Sequence, residues 1–208
     1  MARGRFIALE GGEGVGKSTQ LKALAELLEN RGITVLLTRE PGGSEGAEAI
    51  RKLLLEGDEK RWNPRAEALL FAAARSDHVE KTIKPALEKG MWVISDRFLD
   101  SSLAYQGEAG GLGIARVRDL HEFGSEDFLP DRTLVLHLDP SEGVLRAKHR
   151  DGDADRIGGR SPAYHGAVAN GFKTLSEKEP DRVKLVDASG NANAVTARLF
   201  AAIADLMP

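Results

Sequence analysis

Residues 6–18 read Phe6-Ile7-Ala8-Leu9-Glu10-Gly11-Gly12-Glu13-Gly14-Val15-Gly16-Lys17-Ser18, an apolar run that breaks into glycines and ends on Lys-Ser. Residues 11–18 match the P-loop pattern G-x-x-x-x-G-K-[ST]. Phe6 to Glu10 has the length and apolar content of a buried strand, and Ser18 to Asn30 carries Leu21, Leu24, Leu27 and Leu28 at helical spacing. A strand before and a helix after is the context the motif requires. Glycines let successive backbone N–H groups converge on phosphate oxygens with no Cβ in the way, and the helix N-terminus adds its positive dipole end. Gly11, Gly12, Gly14, Val15, Gly16, Lys17, Ser18 and Thr19 are therefore assigned to a nucleoside triphosphate, with Lys17 reaching the β- and γ-phosphates and Ser18 ligating Mg²⁺. The pattern names a ligand class and leaves the reaction open.

Outward from the loop, apolar runs alternate with helical patterns. Strands are expected at Ile33 to Thr38, Met91 to Ser95, Thr133 to Leu138 and Val183 to Val186. Helices are expected at Gly46 to Leu55, from Pro64 to about Lys89 with Pro85 kinking its end, near Ser101 to Gln106, and at Ile114 to Phe123. Another starts at Pro140, a further one precedes Val183, and the last begins near Ala192. The expected fold is α/β, five parallel strands flanked by helices in a single domain over residues 1–208, with a charged, glycine-containing lid at about 148–160.

Composition narrows the function classes. The chain has 208 residues and a formal net charge of -3, which argues against a broad nucleic-acid or membrane-surface interface. Cysteine is absent, so disulfides and thiolate chemistry are excluded. No apolar run approaches the ~20 residues needed to span a bilayer, and the start runs directly into a strand with no room for a signal peptide, so a cytoplasmic location is expected. The five histidines are scattered without ligand spacing and read as structural or surface residues.

The remaining charges point to phosphate transfer. Met91-Trp92-Val93-Ile94-Ser95-Asp96 is a strand ending in a carboxylate, and Asp96 beside the P-loop can hold the metal or its water. No Asn-Lys-x-Asp motif appears, which weighs against a guanine-nucleotide switch. Arg146, Lys148, Arg150, Arg156 and Arg160 are interspersed with Asp151, Asp153, Asp155 and glycines. Such a flap can be a solvated surface loop, or it can bring arginines over two anions that repel each other. A phosphate monoester acceptor is already a nucleophile, with a second pKa near ~6, so charge neutralisation matters more than a general base.

Thr38-Arg39-Glu40-Pro41-Gly42-Gly43, Leu70-Phe71-Ala72-Ala73-Ala74-Arg75, and Asp96-Arg97-Phe98 through Ser101-Ser102-Leu103-Ala104-Tyr105-Gln106-Gly107, in that order after the P-loop, resemble the motifs of bacterial thymidylate kinases. The resemblance implies the P-loop nucleoside monophosphate kinase fold, transfer of a phosphoryl group from ATP to dTMP, Mg²⁺ as cofactor and a homodimer built through helices, to which Leu69 to Ala74 can contribute. It implies that Phe71 stacks on thymine and Arg75 bonds its 4-oxo group. Ser102, Tyr105 and Gln106 then surround the base and deoxyribose, Arg51 and Arg97 clamp the acceptor phosphate, and Glu13 stands near it. Phe71 and Arg75 lie four apart on one helical face, a workable pyrimidine reader; taken alone they read as a core aromatic and a surface charge.

Gly14 follows Glu13, so the loop contains no arginine. Family members of that kind draw the transition-state arginine from the lid, and Arg150 is the expected residue, with Arg146 and Arg156 behind it. Lys17, Arg150, Arg97 and Glu13 are thus the catalytic set. The chain departs from the family after Asp155-Arg156-Ile157, where Gly158 replaces a glutamate and an aromatic cluster shrinks to Tyr164 and Phe172. Two alternatives stand beside this reading: another nucleotide or nucleoside kinase, and a nucleotide-dependent switch that needs no acceptor.

Overall fold

The strand that leads into the P-loop, β1 (Phe6–Gly11), is buried along its whole length, as an apolar run without polar alternation requires when both faces of a sheet are covered. The computed structural model describes residues 3–58, 60–138 and 156–208. β1 lies at the centre of a five-stranded, wholly parallel sheet with β2 (Val35–Arg39), β3 (Trp92–Asp96), β4 (Arg132–His137) and β5 (Val183–Asp187) in the order β2-β3-β1-β4-β5. The chain leaves β1 for one side and later returns to the other, so the order reverses beside β1, and the crevice at the strands' carboxyl ends opens there. β2 and β5 are the edges, and Leu37 and Leu185 on them are accordingly exposed.

Period-two alternation sorts the side chains of β1 onto two cores. Ile7 and Leu9 pack with Leu24 and Leu28 of α1 (Lys17–Glu29) and with Val195 and Leu199 of α8 (Ala192–Ala201). Phe6 and Ala8 pack on the other face with Val79, Ile83, Leu87, Phe98, Leu103, Val117 and Leu175. That layer is built by α2 (Glu45–Leu55), α3 (Pro64–His78), α4 (Lys84–Glu88), α5 (Leu99–Ser102), α6 (Ile114–Ser125) and α7 (Pro162–Lys178). Ser44, Asn63 and Ser161 cap α2, α3 and α7 by accepting from the N–H three residues on.

The expected elements are present among the described residues, with two differences of kind. The stretch from Pro64 to Lys89 is not one kinked helix: a π-helical turn, Val79–Ile83, separates α3 from α4. The wider turn relieves the i−4 hydrogen bond that Pro85 cannot make, so the register changes just ahead of the proline. The segment near Ser101 to Gln106 likewise begins as α5 and widens into a π-helical turn, Leu103–Ala109. The helix expected from Pro140 lies outside the described residues.

One buried acid at the end of β1 organises the turn beyond β3. Glu10 accepts hydrogen bonds from the backbone N–H groups of Phe98 (2.8 Å) and Ser101 (3.1 Å) and from the Ser101 hydroxyl. Burial pushes its carboxyl up to about 7, with Asp100's charge adding to the effect, against the opposing pull of Arg97, Ser101 and Phe98. A carboxyl whose folded value is raised gives stability that is full below about pH 4.5 and is lost as pH rises through about 7. The melting temperature of wild type relative to Glu10→Gln, which cannot titrate, should therefore fall as pH rises across that window. Thermal melts would show it, and a constant difference would contradict it.

Candidate active site

Gly11 ends β1 with φ 135, and a Cβ there would sit 2.5 Å from the Leu136 carbonyl oxygen, so the close approach to β4 requires glycine. Gly14 and Gly16 also have positive φ, which turns the loop back over the start of α1. Lys17 is buried and donates to the carbonyl oxygens of Gly11 (3.0 Å) and Gly12 (2.8 Å). Burial, followed by the nearby Arg97 charge, pushes Lys17 down to about 7, opposed by Asp96, Glu13 and Glu10. An arriving polyphosphate would supply the counter-charge that these carbonyls supply only in part.

Arg97 is held in a left-handed backbone conformation, φ 71, uncommon for a residue with a side chain. The Ser95 hydroxyl donates to its carbonyl, and Glu10 fixes the N–H groups that follow. Its guanidinium donates to Gly11 O (3.1 Å), the Ser101 hydroxyl (3.1 Å) and Glu13 Oε1 (3.0 Å). Lys17 and Arg97 therefore meet on one carbonyl oxygen, no farther apart than two hydrogen bonds.

Ser18 and Asp96 line one cleft at the carboxyl end of the sheet. Asp96 Oδ1 is buried and has no hydrogen-bond partner among the described residues. An orphaned carboxylate oxygen beside a hydroxyl and a triphosphate loop fits an oxygen-ligated, partly hydrated Mg²⁺. No cluster of three His, Cys, Asp or Glu side chains suited to a metal occurs among the described residues.

A second pocket opens beside Arg97. It is lined by the predicted Glu13, Arg51, Phe71, Arg75, Ser102, Tyr105 and Gln106, together with Glu40, Pro41 and Ile157. Seven positions drawn from a P-loop, three helices and a π-helical turn thus converge. Arg51 donates to the Pro41 carbonyl at 2.6 Å. Phe71 is half-buried and lines the pocket. Arg75 is no surface charge: it is 3% exposed, because its Nε donates to Glu40 (2.8 Å) and its Nη2 to the Ser102 hydroxyl (2.7 Å) and Phe98 O (3.3 Å). Its Nη1 has no partner among the described residues. Tyr105 lays its ring 5.1 Å from the Arg97 guanidinium carbon.

Of the expected lid arginines, Arg146 and Arg150 lie outside the described residues. Arg156 is buried, donating to Glu67 (2.6 Å) and to Leu54 O (2.7 Å) in an anchoring position. Sequence reasoning passed over the acids behind the site, Glu10, Glu40 and Glu67, and over His78, whose Nδ1 pairs with Glu40 at 3.1 Å. A lone glutamate carries no periodicity that marks it as buried; only the neighbouring arginines hinted at partners. The remaining buried histidine, His121, is pushed down to about 4, chiefly by burial, in line with a structural role.

Comparison with known proteins follows the same outline. The family model described as thymidylate kinase matches residues 9–199. A curated thymidylate kinase of Rhizorhabdus wittichii is 58% identical over 206 residues, covering 99% of each chain. One of Caulobacter vibrioides is 45% identical over 199 residues, covering 96% of this chain and 95% of its own. The crystal structure of thymidylate kinase from Ehrlichia chaffeensis superposes with a TM-score of 0.75 at 32% identity, covering 97% of this chain and 99% of that one. A match spanning both the P-loop and the pocket beside Arg97 leaves one conclusion: the chain belongs to the thymidylate kinase family.

Proposed function

We propose that the protein transfers the γ-phosphoryl group of ATP to dTMP, giving dTDP and ADP for dTTP synthesis. The observation that carries this reading is the shared carbonyl of Gly11. Lys17, which faces the P-loop, and Arg97, which faces the pocket of Phe71 and Arg75, converge on it. Two anions brought to these cations would meet with their charges neutralised where the transfer must occur.

The P-loop N–H groups and Lys17 hold the β- and γ-phosphates, and Arg97 and Arg51 hold the acceptor phosphate. Glu13, paired with Arg97, keeps that guanidinium from turning away. Phe71 offers a plane for the base and Arg75 a fork whose Nη1 suits a 4-oxo group. Tyr105 crowds the sugar edge, where a ribose 2′-hydroxyl would project. Ser18 and Asp96 would hold Mg²⁺, which when bound with ATP screens charge on the transferring group. The lid at about 148–160 closes over the phosphates; Arg156 anchors its end, and Arg150 supplies the transition-state charge that the P-loop lacks.

We also propose a cytoplasmic homodimer. No helix among the described residues is long and apolar enough to cross a membrane. Leu69 on α3 is 55% exposed and Phe123 on α6 is 93% exposed, and Ala68, Leu112, Val117 and Leu120 line an apolar groove with Leu69. Large exposed apolar side chains grouped on two adjacent helices fit a second copy of the same face. Leu69→Asp should convert the dimer to a monomer in sedimentation, whereas an unchanged mass would move the interface elsewhere.

Coupled ADP release with ATP and Mg²⁺ tests the reaction. dTMP should be the best acceptor, with dUMP lower by about tenfold for want of one methyl group. Equal turnover without acceptor, or a preference for AMP, would sink the reading. Arg75→Ala should raise KM for dTMP by about tenfold or more with a smaller change in kcat, while Arg150→Ala should do the reverse. Steady-state kinetics with dTMP varied separates the two.

A further inference from the structure

Glu67, Phe71 and Arg75 recur every fourth residue along α3, so a single helical face carries all three toward one side. Glu67 is nonetheless buried at the pocket's edge rather than in it. Its Oε2 accepts from Arg156 Nη2 and Arg160 Nη2, each at 2.6 Å, and its Oε1 accepts from Gln106 Nε2 at 3.0 Å. Arg160 is held in turn by the Tyr164 hydroxyl (2.6 Å), which donates to the carbonyl of Tyr105 (2.8 Å). The carboxylate is thus fixed on three sides and cannot rotate freely.

The fixed carboxylate decides which end of Gln106 faces the ligand. The two amide ends differ only in hydrogen-bonding polarity, and chemistry must choose between them. A carboxylate paired with two guanidinium groups accepts and does not donate. Turning the amide round would set its oxygen against a carboxylate oxygen, so the NH₂ faces Glu67. Gln106 Oε1 has no partner among the described residues, and Gln106 lines the pocket. The pocket therefore receives an acceptor, not a donor, from this side chain.

We infer that Glu67 is a positioning residue that fixes the polarity of Gln106, so that the pocket accepts from the N3–H of a 2,4-dioxopyrimidine and rejects cytosine, whose N3 is itself an acceptor. The inference rests on the pocket being the dTMP site. It assigns base selection to a residue that does not touch the base.

Replacing Glu67 with glutamine makes the test sharp. The two arginines still require an acceptor at the Oε2 position, so the new amide nitrogen falls at the Oε1 position, facing Gln106. That reverses Gln106 and turns its NH₂ into the pocket. The KM for dTMP and the inhibition constant of 5-methyl-dCMP, which differs from dTMP only at N3 and C4, would be measured for wild type, Glu67→Gln and Gln106→Met. Glu67→Gln should narrow the preference for dTMP over 5-methyl-dCMP by about tenfold or more. A purely structural role would weaken both ligands equally, and an unchanged ratio would overturn the inference. If Glu67→Gln does not fold, Gln106→Met, which leaves the arginine pairs intact, decides: its ratio should narrow too, and an unchanged one overturns the inference equally. Failure of wild type to phosphorylate dTMP would instead sink the reading of the pocket, before any variant is compared.

Discussion

The carbonyl oxygen of Gly11 is the point on which the site depends, because Lys17 and Arg97 both donate to it. Its position is set by pairing with β4, whose close approach a Cβ at this residue would block. β1 therefore does more than deliver the P-loop. Its last residue gives Lys17 and Arg97, on the proposed reading the donor-side and acceptor-side cations, a common reference, and the parallel sheet holds that reference in place. Proximity of two anions is the hard part of phosphoryl transfer between nucleotides, and in the proposed reaction this arrangement would meet it with fixed dipoles and paired cations rather than with a strong base.

Behind the functional side chains stands a row of buried glutamates. Glu10 fixes the turn that holds Arg97 in its left-handed conformation, Glu40 holds Arg75 and His78, and Glu67 holds Arg156, Arg160 and Gln106. Buried ion pairs of this kind contribute little net stability, since desolvation offsets much of their attraction. Their value lies in fixing donors and acceptors at one orientation before substrate arrives. The raised Glu10 carboxyl and the depressed Lys17 ammonium mark the same cost at the two ends of the site.

The sheet, the P-loop and most helix positions were legible in the sequence because their signals are local: a glycine-rich motif, apolar runs of strand length, leucines at helical spacing. The pocket lining was legible only through the resemblance, since nothing local distinguishes Phe71 from a core aromatic or Arg75 from a surface charge. The π-helical turns at Val79–Ile83 and Leu103–Ala109 escaped because a widened turn leaves the apolar periodicity nearly unchanged. Glu10, Glu40 and Glu67 escaped because their burial depends on partners 35 to 93 residues away in the chain. Arg156, expected in the lid, is buried with its guanidinium on Glu67 and the Leu54 carbonyl, a placement that depends on partners far away in the chain.

The most direct test of the account is kcat for Arg97→Lys at saturating ATP and dTMP. A lysine keeps the charge but loses the fork that reaches Gly11, Ser101 and Glu13 together. The account predicts a fall of about a hundredfold or more in kcat, beyond any change in KM. A kcat near that of wild type, with only a weaker KM for dTMP, would show that Arg97 merely binds the acceptor and that the shared carbonyl does not organise the transfer.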